Sequence, residues 1–353
     1  MAEPYSSLDT PSPARTIIFE AIPYRADGTI QFGSALQLVG MLGVLGIVLG
    51  IISGYVSQHF YLVLLFPLLI GGCIGAAGSR CIKMFHVRNP LICGFAGFFV
   101  GGLAMFTMHY TEFQIFEQNL EAALDDEGRM VRQIALRAEE IHGNWNSASP
   151  DERAVLTALE ADPLQLMALR ANNVWRFLDF SAHQGVELNN AGGGNGPGLN
   201  LGYTGSYLYW IAEAFIVAGL AYRMMSVAAN EPYCNTCYQW KTASLFGPFP
   251  KVKEIADLIK QGSLTHFNNH PEQPDSNGMI TLFTCPHCET QSTIDVRVER
   301  WTVNRKGEVS KKRLAQMTFP PESMPVLQAV CAPPEAPAVA TTAPANVHPE
   351  IAG

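Results

Sequence analysis

Two Cys-x-x-Cys pairs, Cys234/Cys237 in EPYCNTCYQW and Cys285/Cys288 in TCPHCET, are the residues of this chain best suited to chemistry. One tight turn presents both thiolates of such a pair to a single ion, and two turns complete a tetrahedral set of four sulfurs. The pairs stand 47 residues apart, against roughly 15–20 in the simplest metal-binding pattern. The intervening chain must therefore fold so that its two ends meet. Four thiolates leave no open coordination position, which points to a structural ion rather than a catalytic one. Zinc is the expected cofactor and iron the alternative. His287, between the second pair, is read as a bystander, while His266 and His270 are substitutes should one thiolate fail.

The segments around the cysteines carry their own signals. KVKEIADLIKQG places Val252, Ile255, Leu258 and Ile259 on one helical face. MITLFT is strand-like and delivers Cys285, and STIDVRVERWTV and GEVSKKRLAQMTF read as two strands about a turn at Asn304–Gly307. With these flanks the four cysteines resemble a zinc ribbon over about residues 233–320, and the Cys-x-x-Cys and Cys-Pro-x-Cys knuckles are similar to those of rubredoxin. The resemblance implies a β-rich domain folded around zinc or, in the rubredoxin case, a membrane-tethered redox iron. It names a fold type and no ligand. Knuckles of this kind usually carry Gly after the second cysteine, where this chain has Tyr238 and Glu289. From Cys234 to Pro320 there are eleven basic and eight acidic residues. The basic cluster Arg305, Lys306, Lys311, Lys312 and Arg313 suits a membrane surface as well as a polyanion, so nucleic acid is not the expected partner.

Glu213, in YWIAEAFIV, is the second group with chemical potential, because an acid inside an apolar helix is costly unless it serves a purpose. His109 is the neighbour proposed for it, giving a possible proton relay or ion site; capping by nearby Ser, Tyr or Trp is the plainer reading. No His-Glu-x-x-His, Gly-x-Ser-x-Gly or kinase signature occurs, so no catalytic residue is assigned and an enzyme is not expected.

The elements that must hold these groups are mostly apolar helices. Only 15% of the 353 residues are charged, against about 25% in typical soluble domains. Gly28 to Ser79 and Asn89 to Thr111 contain no Asp, Glu, Lys or Arg, and Ser206 to Met225 is interrupted only by Glu213 and Arg223. A bilayer core of about 30 Å takes about 20 apolar residues per helix. Four spans are expected, at about 34–56, 61–79, 91–110 and 206–225. Arg80, Lys83 and Arg88 mark the loop between the second and third spans as cytoplasmic. Both termini then lie inside and residues 111–204 outside. That outer segment has no Lys, six Arg and fourteen acids.

The fold class expected is thus an α-helical membrane protein with four transmembrane helices, a small helical extracytoplasmic domain and a C-terminal β-rich, zinc-ribbon-like domain. The divisions are residues 1–33, a cytosolic segment with a β-hairpin about Asp27-Gly28; 34–110, spans one to three; 111–205, the outer domain with a Gly-rich lead; 206–225, span four; 226–320, the metal-binding domain; and 321–353, a disordered Pro/Ala-rich tail holding Cys331 as a spare thiol. In the outer domain, residues 112–142 form one helix. Further helices start at Ser149-Pro150 and Asp162-Pro163, the second running to about residue 182.

Glycine repeats at four-residue spacing on three spans: Gly46, Gly50 and Gly54; Gly71 and Gly75; Gly97 and Gly101. Such faces let helix backbones approach closely, within one chain or in a homo-oligomer. The function expected is a non-enzymatic membrane scaffold that recruits a protein partner on the cytosolic side. The alternatives are ion- or proton-coupled transport through Glu213 and the redox protein already named.

Overall fold

A computed structural model of the chain describes residues 17–26, 28–29, 31–58, 65–188, 199–264, 277–288 and 291–331. In chain order the elements are β1 (Ile17–Ile18), β2 (Ile22–Pro23), α1 (Phe32–Ser57), α2 (Leu65–Phe85), α3 (Pro90–Ala123), α4 (Asp126–Leu136), α5 (Ala138–Gly143), α6 (Pro150–Glu160), α7 (Pro163–Arg170) and α8 (Val174–Gln184). They continue with β3 (Glu187–Leu188), β4 (Leu199–Asn200), α9 (Gly202–Ala229), β5 (Tyr233–Cys234), β6 (Gln239–Trp240), β7 (Thr242–Phe249), α10 (Val252–Lys260), β8 (Ser263–Leu264), β9 (Gly278–Thr284), β10 (Ile294–Val303), β11 (Val309–Phe319) and α11 (Met324–Cys331). The chain divides into two compact units, one of residues 26–230 and one of residues 1–25 with 231–353.

In the first unit α1, α2, α3 and α9 are long and apolar enough to cross a membrane. Their outward faces carry large apolar side chains such as Leu36, Val44, Phe99, Leu208 and Phe215. A surface of that kind is stable against hydrocarbon and costly against water. The main packing is α3 on α9, α1 on α3 and α2 on α9. Glycine makes these contacts. A methyl group at Gly50 would sit 2.5 Å from the carbonyl oxygen of Ala104, at Gly71 2.9 Å from that of Val217, and at Gly101 2.8 Å from Cα of Ala218. Gly46 and Gly54 likewise meet α3, while Gly75 and Gly97 meet α9. All seven glycines of the repeats therefore face another helix of the same chain.

Two helices expected as continuous are broken. α3 runs to Ala123, about 51 Å at 1.5 Å per residue, so it continues past the expected end of span three. It stops where Asp125 turns its side chain to cap α4, accepting from the Gly128 N–H at 2.7 Å. Arg132 of α4, almost wholly buried, ties back to Glu117 and Glu121 on the extension of α3. The segment expected as one helix over 112–142 is thus the end of α3 followed by α4 and α5. Likewise α7 and α8 are separate, because Asn173 accepts from the N–H groups of Trp175 and Arg176 and starts a new helix. Ser149 and Glu152 form a reciprocal capping box at the start of α6. Of the Gly-rich lead at 188–205, residues 189–198 lie outside the described residues, and α9 begins at Gly202.

The second unit is built on an antiparallel sheet in the order β2-β11-β10-β9-β7. Val296, Val298, Ile280, Leu282 and Phe319 from the sheet meet Ile255 and Ile259 of α10 in one buried core. Asp27, at the turn of the expected N-terminal hairpin, lies outside the described residues. β1 pairs with β8 and β2 with β11, since an isolated two-strand ribbon buries too little and an open sheet edge offers unpaired backbone groups.

Residues 321–331 are also folded, against the expectation of a disordered tail from 321. α11 sets Leu327, Val330 and Cys331 into the core. The Cys331 thiol is buried, and that burial pushes its pKa up to about 12. Residues 332–353 lie outside the described residues.

Candidate functional site

The sheet explains how cysteines so far apart in sequence meet. β7 and β9 are antiparallel with Thr242 opposite Thr284. The chain entering β7 and the chain leaving β9 therefore lie at one end of the sheet. The first carries the β5–β6 hairpin, with Tyr233 paired to Trp240 and Cys234 to Gln239. The second carries Cys285 and Cys288 in the turn after β9. The Tyr233 and Trp240 rings brace the hairpin edge to face at 5.1 Å.

All four sulfurs lie within 4.8 Å of one another. Cys234 and Cys288 are 3.7 Å apart and Cys237 and Cys288 2.7 Å. A tetrahedral ion with sulfur at about 2.3 Å separates its sulfurs by about 3.8 Å, so the set could hold a metal ion once the Cys237 and Cys288 sulfurs move about 1 Å further apart. Cys234 and Cys285 are buried and Cys237 and Cys288 half-buried. This is the one group of metal-type ligands among the described residues.

The turn backbone favours thiolate at one position. Burial works to raise the Cys285 thiol, but N–H groups of Cys288 and His287, with the Cys234 and Cys237 thiols, bring it down to about 7. The Cys288 N–H stands 3.5 Å from the Cys285 sulfur. The hydrogen bond with Cys237, together with burial, pushes Cys288 up.

Tyr238 adopts a left-handed backbone, φ 55°, the conformation for which glycine is usual after such a knuckle. Glu289, the other departure, lies outside the described residues, as do His266 and His270. His287 contacts the Gln239 side chain at 3.4 Å rather than joining the sulfurs.

Beside the first knuckle is a group the sequence did not disclose. Lys241 is buried and its Nζ donates to Asp295 Oδ2 at 2.7 Å and to the Thr293 carbonyl at 2.6 Å. The partners are more than 50 positions apart with no pattern linking them, so no sequence signal marked the pair.

In the helical unit Glu213 is buried, and the Tyr209 hydroxyl donates to its Oε1. His109 Nδ1 pairs instead with Glu112 Oε2 at 2.9 Å, and Ser57 Oγ donates to Glu112 Oε1 at 2.7 Å. Glu112 is one turn from His109, and that i, i+3 spacing was the available signal.

Comparison of the chain with family models, curated proteins and solved structures gives no match. Its function must be argued from these sites.

Proposed function

We propose that this chain is a non-enzymatic, multi-pass membrane protein whose zinc-stabilised domain recruits a protein partner on the cytoplasmic side. The observation that carries the reading is the closed four-cysteine cluster. Four thiolates fill a tetrahedral zinc shell and leave no position for substrate or water, which is the arrangement of a structural site. Zinc is favoured over iron because a closed shell of four thiolates suits a structural ion that brings no redox chemistry of its own. The knuckles and strands make the domain zinc-ribbon-like, enlarged by α10 and α11.

The pairing of β1 and β2 with β8 and β11 supports the topology. Strands from before α1 and from after α9 share a sheet, which favours a reading with both segments on the same side of a membrane, as an even number of crossings requires. Arg80, Lys83 and Arg88, between the second and third crossings, then assign that side to the cytoplasm. Zinc binding contributes folding energy to the domain that carries the partner surface.

Crosslinking the full-length protein in its own membrane tests the reading. The same partner is recovered from wild type and lost from the C285S/C288S chain, with stoichiometric zinc only in the former. Recovery from both chains, or from neither, overturns the recruiting role. A coloured, iron-containing preparation overturns zinc.

A further inference from the structure

α1, α3 and α9 contribute to an open cleft of about 300 Å³ lined in part by Ser57, His109, Glu112, Tyr209, Trp210 and Glu213. Two carboxylates from different helices face it, and no Lys or Arg stands among the described lining residues. Glu112 is organised by Ser57 and His109, and Glu213 by Tyr209. The His109 and Trp210 rings stand 5.7 Å apart, so the wall is aromatic as well as acidic.

This chemistry narrows the occupant. Two carboxylates with no Lys or Arg beside them among the described lining residues disfavour an anion by like-charge repulsion. A bare metal ion does not suit, because these carboxylates and the imidazole do not converge as the four cysteines do. The volume equals about ten waters at roughly 30 Å³ each and lies at the small end of organic-ligand pockets. Aromatic rings attract cations through their π-faces, and carboxylates accept charge-assisted hydrogen bonds.

We propose that this cleft is a binding site for a small organic cation, an alkylammonium group taken between Glu112 and Glu213 and against the Trp210 ring. The site is independent of the zinc-stabilised domain and of its partner.

Titration calorimetry on the full-length protein in detergent micelles tests it, with ethylammonium and tetramethylammonium chloride as probes at constant ionic strength. Sodium chloride and sodium acetate are the comparators. Saturable binding of at least one ammonium probe is expected, with none for acetate. E213Q and E112Q each weaken it by about tenfold or more, the effect of losing one charge-assisted contact. W210L weakens it by about threefold to tenfold. Should E213Q fail to fold, E112Q and W210L carry the test, with unchanged metal content as the control for integrity. The proposal is overturned if neither probe binds saturably, if E112Q and W210L bind like wild type, if sodium displaces the probes at equal concentration, or if proton uptake accounts for all the heat.

Discussion

Lys241 Nζ, one residue beyond the β5–β6 hairpin, lies 2.7 Å from Asp295 Oδ2 of β10, and both side chains are almost fully buried. The pair is fully dressed. Lys241 also donates to the carbonyl and hydroxyl of Thr293, and Asp295 Oδ1 accepts from Thr318 at 2.6 Å. It therefore pins the start of β7 to β10 and β11. Removing one partner strands a buried charge, so D295A is expected to cost about 3–5 kcal/mol. The double variant K241M/D295L, which removes both charges, should recover most of the loss. Denaturant unfolding of the full chain, followed through Trp240 and Trp301, measures both. Equal losses in the single and double variants would show that the ion pair is not what matters.

Metal removal should loosen the knuckle end of the sheet first. A chelator at neutral pH is expected to change the fluorescence of Trp240, which rests on Tyr233 in the β5–β6 hairpin, and to lower the unfolding temperature. The effect follows because binding free energy at such a site is folding free energy. The sign with pH is fixed. Bound sulfurs are thiolates held below their ordinary pKa, so metal-linked stability is present above the free-thiol range and lost as pH falls. Zinc retention measured by elemental analysis should decline from about pH 7 to about pH 5. A chain that keeps its zinc at the lower pH would contradict four-thiolate binding.

Much of the four-cysteine cluster was legible because its signals are local. Cysteine spacing needs no tertiary context, and the apolar period of α10 marks its buried face. What the sequence concealed is long-range or compositional. The partner edge of β2 lies almost 300 residues away on β11, and backbone pairing carries no side-chain code. β7, TASLFGPF, has Gly and Pro inside it and lacks a strand signature. α11 was hidden by a Pro-rich setting, although MPVLQAVC is itself apolar enough to dock. In the helical unit, the glycine period marked the contact faces, but Glu112 was counted with the outer domain because nothing in its neighbourhood shows that α3 continues unbroken.

Tyr238 offers a narrow test of the knuckle. A left-handed backbone costs a non-glycine residue about 1–2 kcal/mol, while glycine costs about 0.5–1 kcal/mol in unfolded-state entropy. Its side chain is largely exposed, so little packing is lost on truncation. Y238G should therefore keep full zinc stoichiometry and gain up to about 1 kcal/mol. Y238V, β-branched, should lose stability. Thermal melts of the two zinc-loaded variants distinguish them, and a loss of zinc in Y238G would mean that the tyrosine ring itself supports the site.

The glycines of α1 divide into two kinds. At Gly50 an added methyl would press on the Ala104 carbonyl at 2.5 Å and Thr107 Cβ at 2.7 Å, whereas at Gly43 nothing lies within 4 Å. G50A is expected to separate α1 from α3 at a cost of about 1–3 kcal/mol. G43A should be neutral or stabilising by up to about 1 kcal/mol through helix propensity. Unfolding in mixed micelles compares the two. Equal effects would mean that α1 does not pack on α3 through its Gly46–Gly54 face.

Cys331 reports on whether the chain beyond β11 is folded. Its thiol lies in the core with Leu327 and Val330, and burial raises it to about 12. A thiol that is neutral when folded and ionises near 9 when unfolded contributes stability that is complete below the unfolded value and lost as pH rises toward the folded one. It should also be inert. Ellman's reagent is expected to count the same number of reactive thiols in native wild type and native C331S, and one more in wild type than in C331S once both are denatured. L327A, which empties the space of a fully buried leucine beside it, should cost about 2–5 kcal/mol and make Cys331 reactive in native buffer. A native wild-type chain that already yields the extra thiol would show that α11 does not dock.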